Sequence, residues 1–125
     1  MDSFLEGGSC DPYYVFSLDQ GKGFKKVSGG PHLAIKNQRK GAWSFVIAEK
    51  EIVNSKKMKI ELWDVDSSNK DDFIGDFECS SAAFLSTGGF KNAKLQGKEA
   101  KKSVIDLTYR CIWTGGKKFK NFKNL

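Results

Sequence analysis

Short apolar runs alternate with turn-forming residues along the chain, and in several runs the apolar positions fall on every second residue. Residues 13–18, 32–35, 43–47, 57–65, 73–79 and 103–113 read as strands on this basis, bounded by Gly, Asn, Asp or Ser. From Met58 onward the apolar side chains occupy Met58, Ile60 and Leu62, and the phase shifts at Trp63. Ile105, Leu107 and Tyr109 alternate in the same way with Val104, Asp106 and Thr108. Successive side chains of an extended chain point to opposite sides, so each strand keeps one face wet. Only residues 80–85 and 48–53 suit a helical turn or two. Strands recurring every 8 to 15 residues or so predict an all-β, antiparallel β-sandwich.

The chain has 125 residues, which suits one domain and excludes a two-domain enzyme. Ten Phe within 13% aromatics supply the bulk for a core and argue against disorder. No stretch approaches the ~20 apolar residues that span a bilayer, and the amino terminus has neither a basic region nor an apolar run, so a soluble, cytoplasmic protein is expected. Cys10, Cys79 and Cys111 are an odd number at scattered spacings with a single histidine, His32. They support neither a disulfide framework nor a zinc site, and a reducing compartment fits them. His32 follows Gly-Gly-Pro and reads as a solvated turn residue rather than a general base. With no phosphate loop, no Gly-x-Ser-x-Gly and no nucleophile with a histidine base, the chain reads as a non-enzyme.

Candidate chemistry concentrates in residues 64–72, where a protein of net charge +6 places Asp64, Asp66, Asp71 and Asp72 within nine residues. Asp64 and Asp66 end a strand on one side, a loop follows, and Asp72 begins the return, so the loop can turn these carboxylates toward one point. Converged carboxylates repel without a cation, and calcium suits an all-oxygen set with no soft ligand nearby. An ordinary solvated hairpin loop is the alternative, since Asp, Ser and Asn are common turn formers. Asp71, next to Asp72, points the other way on an extended chain and reads as solvated or as balancing Lys70. A second acidic element lies upstream, where Asp2 and Asp11 flank a Gly-containing loop.

These two elements resemble a known family. Cys10-Asp11-Pro12-Tyr13-Tyr14-Val15 is similar to the Ser-Asp-Pro-Tyr-Val signature of C2 domains, and Trp63-Asp64-Val65-Asp66 with Asp72-Phe73-Ile74-Gly75 resembles that family's Asp-x-Asp and Asp-x-Ile-Gly element. Phe77-Glu78-Cys79 and Lys102-Ser103-Val104-Ile105-Asp106-Leu107 look copine-like, with type II topology. The resemblance implies an eight-stranded-type Greek-key sandwich over residues 1–114, followed by a basic tail over 115–125. It also implies a calcium site with Asp11, Asp64, Asp66 and Asp72 as ligands, Asp2 as a fifth and Asn69 offering its backbone carbonyl. Three features depart from the family pattern. The Asp2–Asp11 loop is longer, Lys40-Gly41 replaces Asn-Pro, and the apolar first strand is missing, as is the large domain that follows the C2 pair in copines. A fragment or a stand-alone relative is expected, in which the 13–18 strand or its neighbour presents an open edge to a partner or second chain.

The basic excess suits an anionic membrane. Lys25, Lys26, Lys36, Arg39 and Lys40 fall on two neighbouring candidate strands, and Phe4 and Leu5 are apolar residues within a loop of Ser, Glu and Gly, placed to dip into lipid. Each Lys or Arg near such a surface contributes about 1 kcal/mol. A solvated face that aids solubility is the alternative for the strand lysines. Nucleic acid is disfavoured, because no reading helix is recognisable and the aspartates would repel phosphates. The expected function is calcium-dependent docking on anionic phospholipid at the inner face of a membrane. A calcium-independent scaffold binding protein is the competing reading.

Overall fold

The computed structural model describes residues 11–36, 41–66, 69–100 and 103–108. Asp2, Phe4, Leu5, Cys10, Arg39, Lys40, Cys111 and the 115–125 tail lie outside them, as do Ser67 and Ser68 in the acidic loop. Within the described residues the protein is an all-β, antiparallel sandwich with two short helices. Its elements in chain order are β1 (Pro12–Asp19), β2 (Phe24–Gly29), α1 (Glu49–Val53), β3 (Lys57–Asp64), β4 (Asp72–Ser80), α2 (Ser81–Thr87), β5 (Gly89–Lys94) and β6 (Val104–Thr108). One sheet runs β2-β1-β3-β4 and the other pairs β5 with β6.

The first sheet follows from alternation. Tyr14, Phe16 and Leu18 of β1 lie level with Leu62, Ile60 and Met58 of β3, so six apolar side chains share the inner face. All but Leu62 join Ile47, Ile52, Phe84 and Leu107 in a buried cluster, against which Leu62, Phe45, Phe77, Phe90 and Ile105 pack. Burying one such side chain stabilises a fold by roughly 1.5–3 kcal/mol, so this cluster holds the layers together. The phase shift at Trp63 has its counterpart in the pairing. β3 and β4 run in register from Lys57↔Ser80 to Leu62↔Gly75, then shift so that Trp63 faces Phe73 and Asp64 faces Asp72. Ile74 is the extra residue of this bulge and is buried. Trp63 and Phe73 meet edge to face with ring centroids 5.1 Å apart.

Both helical turns expected from sequence form. Ser80 caps α2, its hydroxyl accepting from the Ala83 amide at 3.0 Å, and Gly88 ends it in the left-handed conformation.

Two expectations are corrected and a third is narrowed. Residues 32–35 are not a strand, because Gly29 and Gly30 take positive φ and Pro31 opens a 3-10 turn closed by the Leu33 amide on the Gly30 carbonyl. Gly29 has no substitute there, since a Cβ would run into the Tyr14 carbonyl. Residues 43–47 alternate as a strand does, and Tyr14 stacks on Phe45 at 4.9 Å and meets Trp43 at 5.4 Å, but this segment joins no ladder among the described residues. Finally, of the two strands expected to present an open edge, it is the neighbour, β2, and not β1 that lies outermost. β1 is held between β2 and β3, and the outer strands of its sheet are β2 and β4. Six strands are present among the described residues, and residues 109–113, read as the end of the last strand, lie outside them.

Candidate functional site: an acidic end of the four-stranded sheet

Register brings the aspartates together. β1 begins where β3 ends, Pro12 lying level with Asp64, and Asp64 is level with Asp72 at the start of β4. Asp11, Asp64 and Asp72 thus come from three neighbouring strands at one end of the sheet, and Asp66 follows two residues beyond. The Asp11 amide donates to Asp64 Oδ1 at 2.9 Å, and the Val65 amide to the Asp11 carbonyl at 3.1 Å. These bonds tie the entry of β1 to the exit of β3.

Asp64 is the unusual member, a carboxylate only 3% exposed. Burial pushes its carboxyl above the ordinary aspartate range, and the bond from the Asp11 amide opposes that shift. The charges of Asp72, Asp11 and Asp66 push it up further. Asp72 carries a buried Oδ2 with no hydrogen-bond partner. An unpaired buried polar atom costs roughly 1–3 kcal/mol, more when charged, so Asp72 Oδ2 is held at an energetic cost. Among the described residues no three or more His, Cys, Asp or Glu side chains are already gathered as a ligand set. What the structure provides is a mutually repelling set of hard oxygen donors with one oxygen unsatisfied, which fits a hard divalent cation. Asn69 is exposed in the same loop.

Asp71 is not the solvated residue expected from sequence. It faces away from Asp72, as alternation predicts, but it is half-buried. Its Oδ2 accepts from the Tyr13 hydroxyl at 2.6 Å and its Oδ1 from the Asp66 amide at 3.0 Å. Tyr13 is buried, and burial with the Asp71 and Glu61 charges holds its phenol well above the usual range. No local pattern announces this contact, which joins residues 58 positions apart.

Of the sites expected for lipid, Lys25, Lys26 and Lys36 are among the described residues. Lys25 and Lys26 are exposed on β2, whereas Lys36 is exposed in a turn and not on a strand. Cys79, the cysteine among the described residues, is half-buried, and burial pushes its thiol up to about 11, which suits packing rather than reactivity. His32 is exposed, as a turn histidine should be.

A comparison with protein-family models matches the C2 domain over residues 1–101. The chain belongs to the C2 domain family. No curated protein and no solved structure matches it. C2 domains commonly bind membranes or calcium or mediate protein interactions, and they are typically non-catalytic. No helix among the described residues is long and apolar enough to cross a membrane.

Proposed function

We propose that this C2 domain, of copine-like subtype and type II topology, binds calcium between Asp11, Asp64, Asp66 and Asp72 and then docks reversibly on anionic phospholipid at the cytoplasmic face of a membrane. The observation that carries the reading is the buried Asp64 carboxylate set level with Asp72, whose Oδ2 has no partner. A divalent cation would reduce this repulsion, and an open position in its oxygen coordination would be available to a lipid phosphate. Asp2 and the Asn69 carbonyl would add to the coordination. Lys25, Lys26, Lys36, Arg39 and Lys40 would add attraction that falls off over about 10 Å at moderate salt, and Phe4 with Leu5 would enter the acyl boundary. No catalytic role is proposed.

Co-sedimentation with phosphatidylserine vesicles tests it. Calcium-dependent pelleting that high salt weakens is the expected result, and equal pelleting with calcium or chelator refutes it.

One observation favours a second reading. Between the two sheets lies a cleft of about 740 Å³, lined by core side chains including Phe16, Ile47 and Ile105, near which Val46 and Val104 remain exposed. A calcium-independent scaffold would use this cleft for an extended segment of a partner protein or of a second chain. Vesicle binding that fails in calcium, together with dimerisation in solution, would select it.

A further inference from the structure

The β3–β4 loop joins Asp64 and Asp66 on its outgoing limb to Asp72 on its return, and these carboxylates repel one another. A loop free to rearrange would spread them, and a cation would then have to order it at the expense of conformational entropy. The structure contains a device against this. Asp71 accepts two hydrogen bonds, one from the Asp66 amide across the loop and one from the Tyr13 hydroxyl on the central strand. One side chain thus ties both limbs of the loop to β1. Tyr13 is well suited as the anchor, being 5% exposed and level with Trp63, whose ring packs on Phe73. Asp72, one residue on, faces the opposite side, level with Asp64.

We infer that Asp71 is a positioning residue: held by Tyr13, it ties Asp66 to the start of β4, limits how far Asp66 and Asp72 can move from Asp64, and sets cation affinity without touching the cation. The chemistry of its two oxygens supports this division of labour. Each accepts a donor within the protein, whereas Asp72 Oδ2 accepts none. Charge-assisted bonds of this kind are the stronger class, so the clamp persists without an ion. This inference rests on the calcium reading proposed above.

Calorimetric titration of the 125-residue chain with calcium chloride separates the roles, with amide hydrogen exchange at Asp66 followed in the ion-free protein. Tyr13→Phe keeps the ring and its packing but removes the hydroxyl. It is expected to weaken calcium binding about tenfold, the scale of one hydrogen bond to a charged group, and to speed exchange at Asp66. Asp71→Ala should do the same. Asp71→Asn retains an oxygen for the Asp66 amide and an amino group for the Tyr13 oxygen, so binding should stay within about threefold of wild type. Asp64→Asn should abolish it. If Asp71→Asn abolishes binding as Asp64→Asn does, Asp71 is a ligand and the inference is wrong. If Tyr13→Phe binds calcium as wild type does, the clamp does not set affinity and the inference is wrong. A wild-type chain that takes up no calcium overturns the functional reading, and this inference falls with it.

Discussion

Asp19 and Asp64 stand at opposite ends of the same sheet and behave in opposite ways. Asp19 closes the exposed β1–β2 turn, where its Oδ1 accepts from the Gly21 and Gly23 amides at 2.7 and 3.1 Å. Those bonds, first the one from Gly21, hold its carboxyl below the ordinary range, helped by the charges of Lys57 and Lys56. Asp64 is buried, has one backbone donor, and feels three other carboxylates, so its carboxyl is raised. One aspartate completes a turn and the other is buried among like charges. A count of acidic residues does not separate them; their donors and neighbours do.

The largest expected difference between these regions is the response to calcium. At about a hundredfold excess over Kd, a ligand bound only by the folded state stabilises it by roughly 2.7 kcal/mol. Thermal melts should show this rise for wild type and for Asp19→Asn, and lose most of it in Asp64→Asn and Asp66→Asn. A wild type that does not respond to millimolar calcium would remove the contrast.

A smaller difference is expected without calcium. Asp64→Asn keeps an acceptor for the Asp11 amide while removing a buried charge, so it should raise Tm, by roughly 4 °C for each kcal/mol released. Asp19→Asn should lower Tm slightly, and a lowered Tm for Asp64→Asn would contradict the cost assigned to that charge.

Acidity gives a third contrast, with opposite signs. The raised midpoint of Asp64 means that its ionisation opposes folding, so stability falls as pH rises from the ordinary value of 3.8 through that midpoint and returns on acidification. The lowered midpoint of Asp19 means that its contribution is present above 3.8 and is lost as pH falls through the midpoint. Side-chain carboxyl NMR titration should place Asp64 above 3.8 and Asp19 below it, and calcium should move only Asp64 downward.

The smallest effect expected is that of Lys57→Ala, a slight upward shift for Asp19 and none for Asp64. The eight residues of β3 place Lys57 and Asp64 about 23 Å apart, beyond the screening length at moderate salt. A matching shift at Asp64 would show that the two ends are not electrically separate.

Much of the first sheet was legible because β1 and β3 pair through buried alternate positions, where period-2 patterning is strongest. β2 was not legible from apolar spacing, since Lys25, Lys26 and Val27 are all exposed on an outer strand. The Asp19-Gln20-Gly21-Lys22-Gly23 turn, with Asp19 bonded to both glycine amides, was the available signal. β5 was hidden because Phe90 is its one large apolar side chain and its pairing with β6 is interrupted between Phe90 and Ala93, beside Asn92 at φ 54°. Residues 43–47 show the converse limit. Alternation reports which side chains face the core, whereas a strand also requires a neighbouring backbone. At the acidic end, local spacing gave the right face for Asp71, but its tie to Tyr13 depends on a pairing between distant segments that spacing does not encode.

The bulge at Ile74 decides what kind of side chain stands beside Asp64. If the intact sequence paired with no bulge, continuing from Leu62↔Gly75 would set Ile74 level with Trp63 and Phe73 level with Asp64. A phenyl ring would then take the position that a carboxylate occupies. Leaving Ile74 unpaired sets Asp72 on the face of Asp64 and Asp71 on the side of Tyr13. The same residue fills the core with its own side chain. The bulge therefore acts as a counting device in the chain. Deleting Ile74 would bring Phe73 next to Gly75, so that Trp63↔Phe73 and Asp64↔Asp72 would persist without a bulge while the core lost one buried isoleucine.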